Sequence, residues 1–183
     1  MAIEIQILDW LQKLHSPVGD MIMAWITRLG DKGILWILLA VLLLCIPKTR
    51  KSGLILMMAL CFNVVLCNGI LKNLFARIRP FDVNPSVQLL ISRPKDFSFP
   101  SGHTAASFAS VTALYLAGEK KLWKPALVVA VLIAFSRMYF YVHFPTDILG
   151  GIIVGLCSGY LGYWIVKKYF LKGESNLEDF DNN

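Results

Sequence analysis

The sequence predicts an all-α, polytopic membrane helix bundle, and three observations carry that prediction. Hydrophobic residues fill 56% of the 183 positions and charged residues only 16%, against about 25% charged in an average soluble domain. Several stretches of helical length hold no charge at all. The lysines and arginines gather in short clusters between those stretches. Such a composition excludes a disordered chain, which needs low hydrophobicity and high charge. It also leaves too few charges to cover a water-soluble globule. The length fits one domain.

Residues 1–30 read as two amphipathic helices lying in the membrane interface. Ile3, Ile7, Trp10, Leu11 and Leu14 recur at helical spacing, and after Pro17 so do Val18, Met21, Ile22, Trp25 and Leu29. Asp9, Lys13, Asp20 and Arg28 make a crossing here costly, although this region is the place for a sixth span if one exists. It lacks the basic start and small-residue cleavage site of a signal peptide. Residues 31–170 then supply about five transmembrane helices, at 31–47, 53–75, 101–118, 123–142 and 147–168. A bilayer core needs about 20 apolar helical residues. Gly53–Leu71 and Ile148–Val166 meet that without a charge, while the fourth span is interrupted by Arg137. Residues 171–183 form a polar, acidic cytoplasmic tail, expected to be disordered. Gly151, Gly155 and Gly159, and the small residues between Ser101 and Ala113, suit close helix contact.

Orientation follows from the short basic loops. Lys48, Arg50 and Lys51, then Lys120, Lys121 and Lys124, then Lys167, Lys168 and Lys172 fall on one side of a five-span chain. That side is expected to be cytoplasmic, and the loop from Arg77 to Phe99 extracytoplasmic. The net charge of +6 is thereby explained by topology, and a nucleic-acid partner is not expected. The four cysteines lie in apolar runs without metal-ligand spacing.

Six ionisable residues then need explaining, because such groups in or beside membrane segments default to function. Lys72, Arg79, His103, Arg137, His143 and Asp147 all map to the extracytoplasmic ends of their spans. Lys72 and Arg79 are seven apart, close to two helical turns, with Pro80 ending the helix. Two fixed cations suit an oxyanion, although the pair alone reads equally well as snorkelling side chains. Pro100-Ser101-Gly102-His103 opens a helix, where Ser101 can cap and Gly102 lets an anion approach free N–H groups. Taken singly, it is an ordinary helix start. His143 and Asp147, four apart across Pro145, form a pair in which a carboxylate fixes the imidazole tautomer and stabilises positive charge on it. Together, two imidazoles and three cations point to phosphoryl transfer: one histidine attacks phosphorus and the other protonates the leaving oxygen.

These residues resemble the three-part signature of the type 2 phosphatidic acid phosphatase superfamily, which includes vanadium haloperoxidases. Lys72 to Arg79-Pro80, then Pro100-Ser101-Gly102-His103, then Ser136-Arg137, His143 and Asp147 match every signature position. The resemblance implies that His143 is the nucleophile forming a phosphohistidine and Asp147 its orienting group. His103 would be the general acid, then the base that activates water. Lys72, Arg79, Arg137, Ser101 and the Gly102 N–H would hold phosphate oxygens. It implies no cofactor and no metal. The membrane spans argue against the soluble haloperoxidase branch.

The expected partners are the bilayer and a lipid phosphate substrate entering laterally between helices. Compact bacterial members of the family suggest undecaprenyl diphosphate, hydrolysed at the outer face of the plasma membrane to recycle the cell-wall carrier. Phosphatidylglycerol phosphate, phosphatidic acid and diacylglycerol pyrophosphate are alternatives. A lipid phosphotransferase would share every catalytic residue, and a transporter would use the charges as a path. Arg93 and Lys95 are candidates to contact a second phosphate. Nothing in the residues sets an oligomeric state.

Overall fold

The computed structural model describes residues 2–170, so the acidic tail lies outside the described residues. Among these residues every element is helical. Helix α1 (Ala2–Gln12) and α2 (Pro17–Leu29) are separated at Pro17, which takes the first-turn position that needs no N–H donor. Ser16 caps α2 by accepting the Gly19 N–H. A 3₁₀ turn (Asp31–Gly33) leads to α3 (Ile34–Cys45), and a second (Pro47–Thr49) leads to α4 (Arg50–Asn63). The chain continues as a π-helical segment (Val64–Leu71) and α5 (Lys72–Phe75). After α6 (Pro80–Val83) and a loop come α7 (Gly102–Leu116), α8 (Trp123–Tyr139) and α9 (Pro145–Tyr169).

Helix α7 is the hub, with nine of its 15 residues buried. It packs against α4, α8 and α9. Its closest neighbour is α9, which runs parallel to it. A Cβ on Gly151 would stand 2.8 Å from Ser101 O, one on Gly155 2.7 Å from Ala105 O, and one on Gly159 2.5 Å from Thr112 Cβ. No side chain fits in such a gap, which explains the glycine stripe. Because α7 and α9 are parallel, both of their N-termini lie at the same end of the bundle. The loops at the other end meet there too, where the Ser52 hydroxyl donates to Glu119 at 2.7 Å. Among the described residues, Lys48, Arg50 and Lys51, then Lys120, Lys121 and Lys124, then Lys167 and Lys168 therefore share the end opposite the two N-termini.

The exterior is apolar. Leu38, Val65, Leu74, Val128, Leu149 and Ile153 are all exposed, an arrangement that hydrocarbon covers and water does not. Two helical stretches, Pro47–Val83 and Pro145–Tyr169, are long and apolar enough to cross a membrane. Helices α3, α7 and α8 have 12, 15 and 17 residues. The span expected at 123–142 is shortened at its end. Helix α8 stops at Tyr139, and the Arg137 carbonyl accepts from both Val142 N and His143 N in a tight turn with Tyr141 at φ 59°. The α1–α2 apolar stripe points outward: Ile3, Trp10, Val18 and Trp25 are exposed, while Leu11 is buried. Helix α1 docks on the bundle through Leu8 and Leu11, and beside these contacts Asp9 accepts from the Tyr141 hydroxyl and Asp20 from that of Tyr139.

Candidate active site

Lys72 and Arg79 converge, but not by helical repeat. The helix ends at Ala76, which adopts φ 41°. Arg79 is extended (φ −84°, ψ 156°), as a residue preceding proline must be, and Pro80 opens α6 instead of closing α5. The backbone between them reverses, and both cations close on Asp96 from the following loop. Lys72 Nζ donates to Asp96 Oδ2 at 2.5 Å, and Arg79 Nη2 donates to Asp96 Oδ1 at 2.7 Å. The Phe97 carbonyl accepts from both, and Arg79 Nε reaches the Asp96 carbonyl. Sequence reasoning missed Asp96. Its one signal was charge balance, since three buried cations against the single carboxylate of Asp147 leave an excess.

Asp96 is held ionised by this arrangement. Burial opposes its charge, but hydrogen bonds and attraction from Lys72 and Arg79 outweigh it and bring its pKa down to about 2. That lies below the ~3.9 of an unfolded aspartate, so its contribution to stability is fully present above about pH 4 and is lost as pH falls toward 2. The melting-temperature gap between wild type and Asp96→Asn should therefore stay constant from pH 7 to pH 5. It should close between about pH 4 and pH 2. A gap that persists unchanged at the acid end would sink the pairing.

The turn after α8 aims His143 back at the same cations. Its side chain is buried. Nδ1 faces Asp147 Oδ2 at 3.4 Å, and Nε2 lies 3.3 Å from Arg79 Nη1. An arginine can only donate, so Nε2 carries the lone pair and Nδ1 the proton. Burial, then the positive charges of Arg79, Arg137 and Lys72, hold this imidazole well below the usual histidine range, and it is neutral at pH 7. Asp147 sits behind it, fully buried at the start of α9. Its Oδ2 also accepts from Ser98 Oγ at 2.5 Å and from the Phe144 N–H at 2.8 Å. Three donors share that oxygen, which accounts for the long contact to His143. Oδ1 takes Arg77 Nη1 at 2.7 Å. Arg77 lies between two signature residues and was also missed, because its partners are remote in sequence.

Arg137, at the end of α8, is buried, and its Nη1 donates to Thr27 Oγ1 of α2 at 2.5 Å. Its Nε has no partner among the described residues. His103, in the first turn of α7, sets Nε2 against Asp31 Oδ1 at 2.9 Å. Asp31 carries no sequence motif that would mark it as part of the site. Lys72, Arg79, His103, Arg137, His143 and Gly102 all line one cavity of about 830 Å3. Asp147 and Ser101 do not line it. The Ser101 hydroxyl makes no cap and is fully buried, accepting from Thr104 Oγ1 at 3.0 Å. The first N–H groups of α7 are thus left uncapped where Gly102 meets the cavity. Arg93 also lines the cavity, pairing with Asp82 and stacking 4.6 Å over Phe81, while Lys95 does not line it.

The bundle has an apolar exterior, and its cavity gathers cations and two carboxylate-paired imidazoles from separate segments, a lining suited to an oxyanion. A profile of the PAP2 superfamily matches residues 52–171. The chain belongs to that superfamily and is a phosphoric-ester hydrolase. It is 34% identical over 145 residues to an undecaprenyl-diphosphatase of Sulfolobus acidocaldarius, covering 79% of this chain and 69% of that protein. It is 35% identical over 167 residues to phosphatidylglycerophosphatase B of Bacillus subtilis, covering 85% and 77%. The crystal structure of a transmembrane PAP2-type phosphatidylglycerolphosphate phosphatase from Bacillus subtilis superposes with a TM-score of 0.73 at 28% identity, covering 92% of this chain and 86% of that one.

Proposed function

We propose that the protein is an integral-membrane lipid phosphatase that cleaves undecaprenyl diphosphate to undecaprenyl phosphate and phosphate through a phosphohistidine at His143. The observation that carries this reading is that the three cations and two imidazoles line one cavity. The His143 lone pair faces Arg79, and the Arg137 guanidinium lines the same cavity. An incoming phosphoryl group supplies an electrophile for the imidazole and an oxyanion for the arginine. Lys72 and Arg79, with the first N–H groups of α7 at Gly102, take the remaining oxygens.

In the first step His143 Nε2 bonds to phosphorus as the bond to the leaving oxygen breaks. His103 delivers a proton to that oxygen, and Asp147 stabilises the positive charge that develops on His143. In the second step water attacks phosphorus and gives its proton to His103. The P–N bond then breaks, and its electrons return to Nε2. The residues need no metal for either step.

The single domain crosses the membrane about five times in this reading. The shared end of the basic clusters is cytoplasmic, and the site opens at the extracytoplasmic face of a plasma membrane. The apolar residues Ala24, Ile37, Leu60 and Val64 also line the cavity, and Ile37 and Val64 are exposed on the outer surface. A lipid tail can lie there with its phosphate among the cations. Phosphatidylglycerol phosphate is the second reading, favoured by the likeness to phosphatidylglycerophosphatase B.

The test is phosphate release by detergent-purified protein in excess EDTA, from a panel holding undecaprenyl diphosphate, phosphatidylglycerol phosphate and phosphatidic acid. The expected result is release in EDTA, fastest from undecaprenyl diphosphate. Fastest release from phosphatidylglycerol phosphate would select the second reading. A requirement for added metal would sink the mechanism, and transfer to a lipid acceptor without free phosphate would make the enzyme a phosphotransferase.

A further inference from the structure

We propose that Asp31 is the positioning residue for His103, forming a second His–Asp pair in the site; the inference rests on the reading of His103 as general acid and base. The Asp31 carboxylate Oδ1 accepts from His103 Nε2 at 2.9 Å. With Nε2–H committed to Asp31, the other nitrogen, Nδ1, is the one that exchanges a proton at the cavity. No described residue hydrogen-bonds to Nδ1.

The segment that carries Asp31 is built against the imidazole. A Cβ on Gly30 would stand 2.7 Å from His103 Cδ2 and 2.9 Å from Ile133 Cγ2, so the backbone of residue 30 touches the ring edge. Lys32 and Gly33 then adopt φ 53° and 68°, folding the chain sharply between α2 and α3 and holding Asp31 beside Nε2. Three residues before Gly30, Thr27 holds Arg137. One short stretch of chain therefore fixes a phosphate-facing cation and the acid–base histidine together. In a site already holding three cations, the carboxylate is the counter-charge a protonated His103 needs.

The proton balance follows directly. When the bond between phosphorus and the leaving oxygen breaks, the Nδ1 proton passes to that oxygen, and a neutral imidazole remains with Nε2–H on Asp31. When water attacks phosphorus, its proton returns to Nδ1, and the imidazolium is again paired with Asp31. Asp31 takes no proton in either step and touches no substrate atom.

The experiment compares kcat on two monoesters for detergent-purified wild type, Asp31→Asn, Asp31→Glu and His103→Ala. Dioctanoyl phosphatidate has an alkoxide leaving group that needs a proton, whereas p-nitrophenyl phosphate has a phenolate that does not. Asp31→Asn should lower kcat on the phosphatidate about 10- to 100-fold, a part of the roughly 10²–10⁴-fold that general acid–base catalysis supplies. It should lower kcat on the aryl ester less than about threefold, since little proton donation is at stake there. Asp31→Glu should recover part of the loss, and adding Asp31→Asn to His103→Ala should cost nothing more. Equal losses on both esters from Asp31→Asn, with His103→Ala still discriminating between them, would make Asp31 structural and overturn the proposal. If His103→Ala itself fails to discriminate, the acid–base assignment of His103 falls, and the proposal falls with it.

Discussion

His143→Ala will release no measurable phosphate from any lipid phosphate, a fall of about 10⁴-fold or more in kcat. The expectation follows from position as much as from residue type. Nε2 is the one nucleophilic lone pair set against Lys72, Arg79 and Arg137, and its ring is oriented from behind by a fully buried carboxylate. His103 cannot take over as nucleophile, because the same turnover needs it as the acid and base. Alanine leaves a small gap beside Asp147 and keeps the cations in place. The variant should therefore elute from gel filtration like wild type while forming no acid-labile phosphoenzyme under rapid quench. Wild-type turnover by this variant would end the phosphohistidine proposal.

Arg77→Met should cost about 3 kcal/mol of stability, the scale of a buried ion pair that loses one partner. For a chain of this size that is a drop of roughly 10 °C in melting temperature. Arg77 spans two helices with one guanidinium. Nη1 donates to Asp147 Oδ1 at 2.7 Å and to Thr146 Oγ1 at 2.6 Å, while Nη2 donates to Glu4 Oε2 at 2.9 Å. Its plane lies 4.0 Å over the Phe144 ring. Without it, the buried Asp147 loses its ion-pair partner, and α1 loses a tie to α9. Arg77→Lys should recover little, because a single ammonium cannot serve acceptors on both sides. The measurement is thermal unfolding in one detergent, and an unchanged midpoint would show that Asp147 does not depend on this partner.

Much of this architecture was legible because hydrocarbon imposes simple rules. Uncharged runs marked the helices, and the small-residue stripes marked two of them for close contact without saying that each is the other's partner. Three separated motifs reaching one end of the bundle gave the cavity lining. Close contacts formed by irregular backbone were not legible. The two-turn spacing of Lys72 and Arg79 suggested a helical face, whereas Ala76 breaks the helix and a loop brings the cations together. Asp31, Arg77 and Asp96 act through partners 17 to 72 residues away, and no periodicity encodes such pairs. The apolar stripe of α1 and α2 was visible, but periodicity does not say which face meets the bundle. The structure turns Leu8 and Leu11 inward and leaves most of the stripe outside, while Asp9 and Asp20 find tyrosine hydroxyls.

The closeness of Asp96 to its cations along the chain bears on biogenesis. Lys72 and Arg79 precede it by 24 and 17 residues. His143, in contrast, follows Arg79 by 64 residues. A chain inserted from its N-terminus must place two cations at the membrane face well before α8 and α9 exist. Asp96 arrives with the next stretch of polypeptide and offsets part of their charge locally. The half-made bundle can then wait for its C-terminal helices with both rim cations already paired to a carboxylate, and the first counter-ion of the site is in place before its nucleophile.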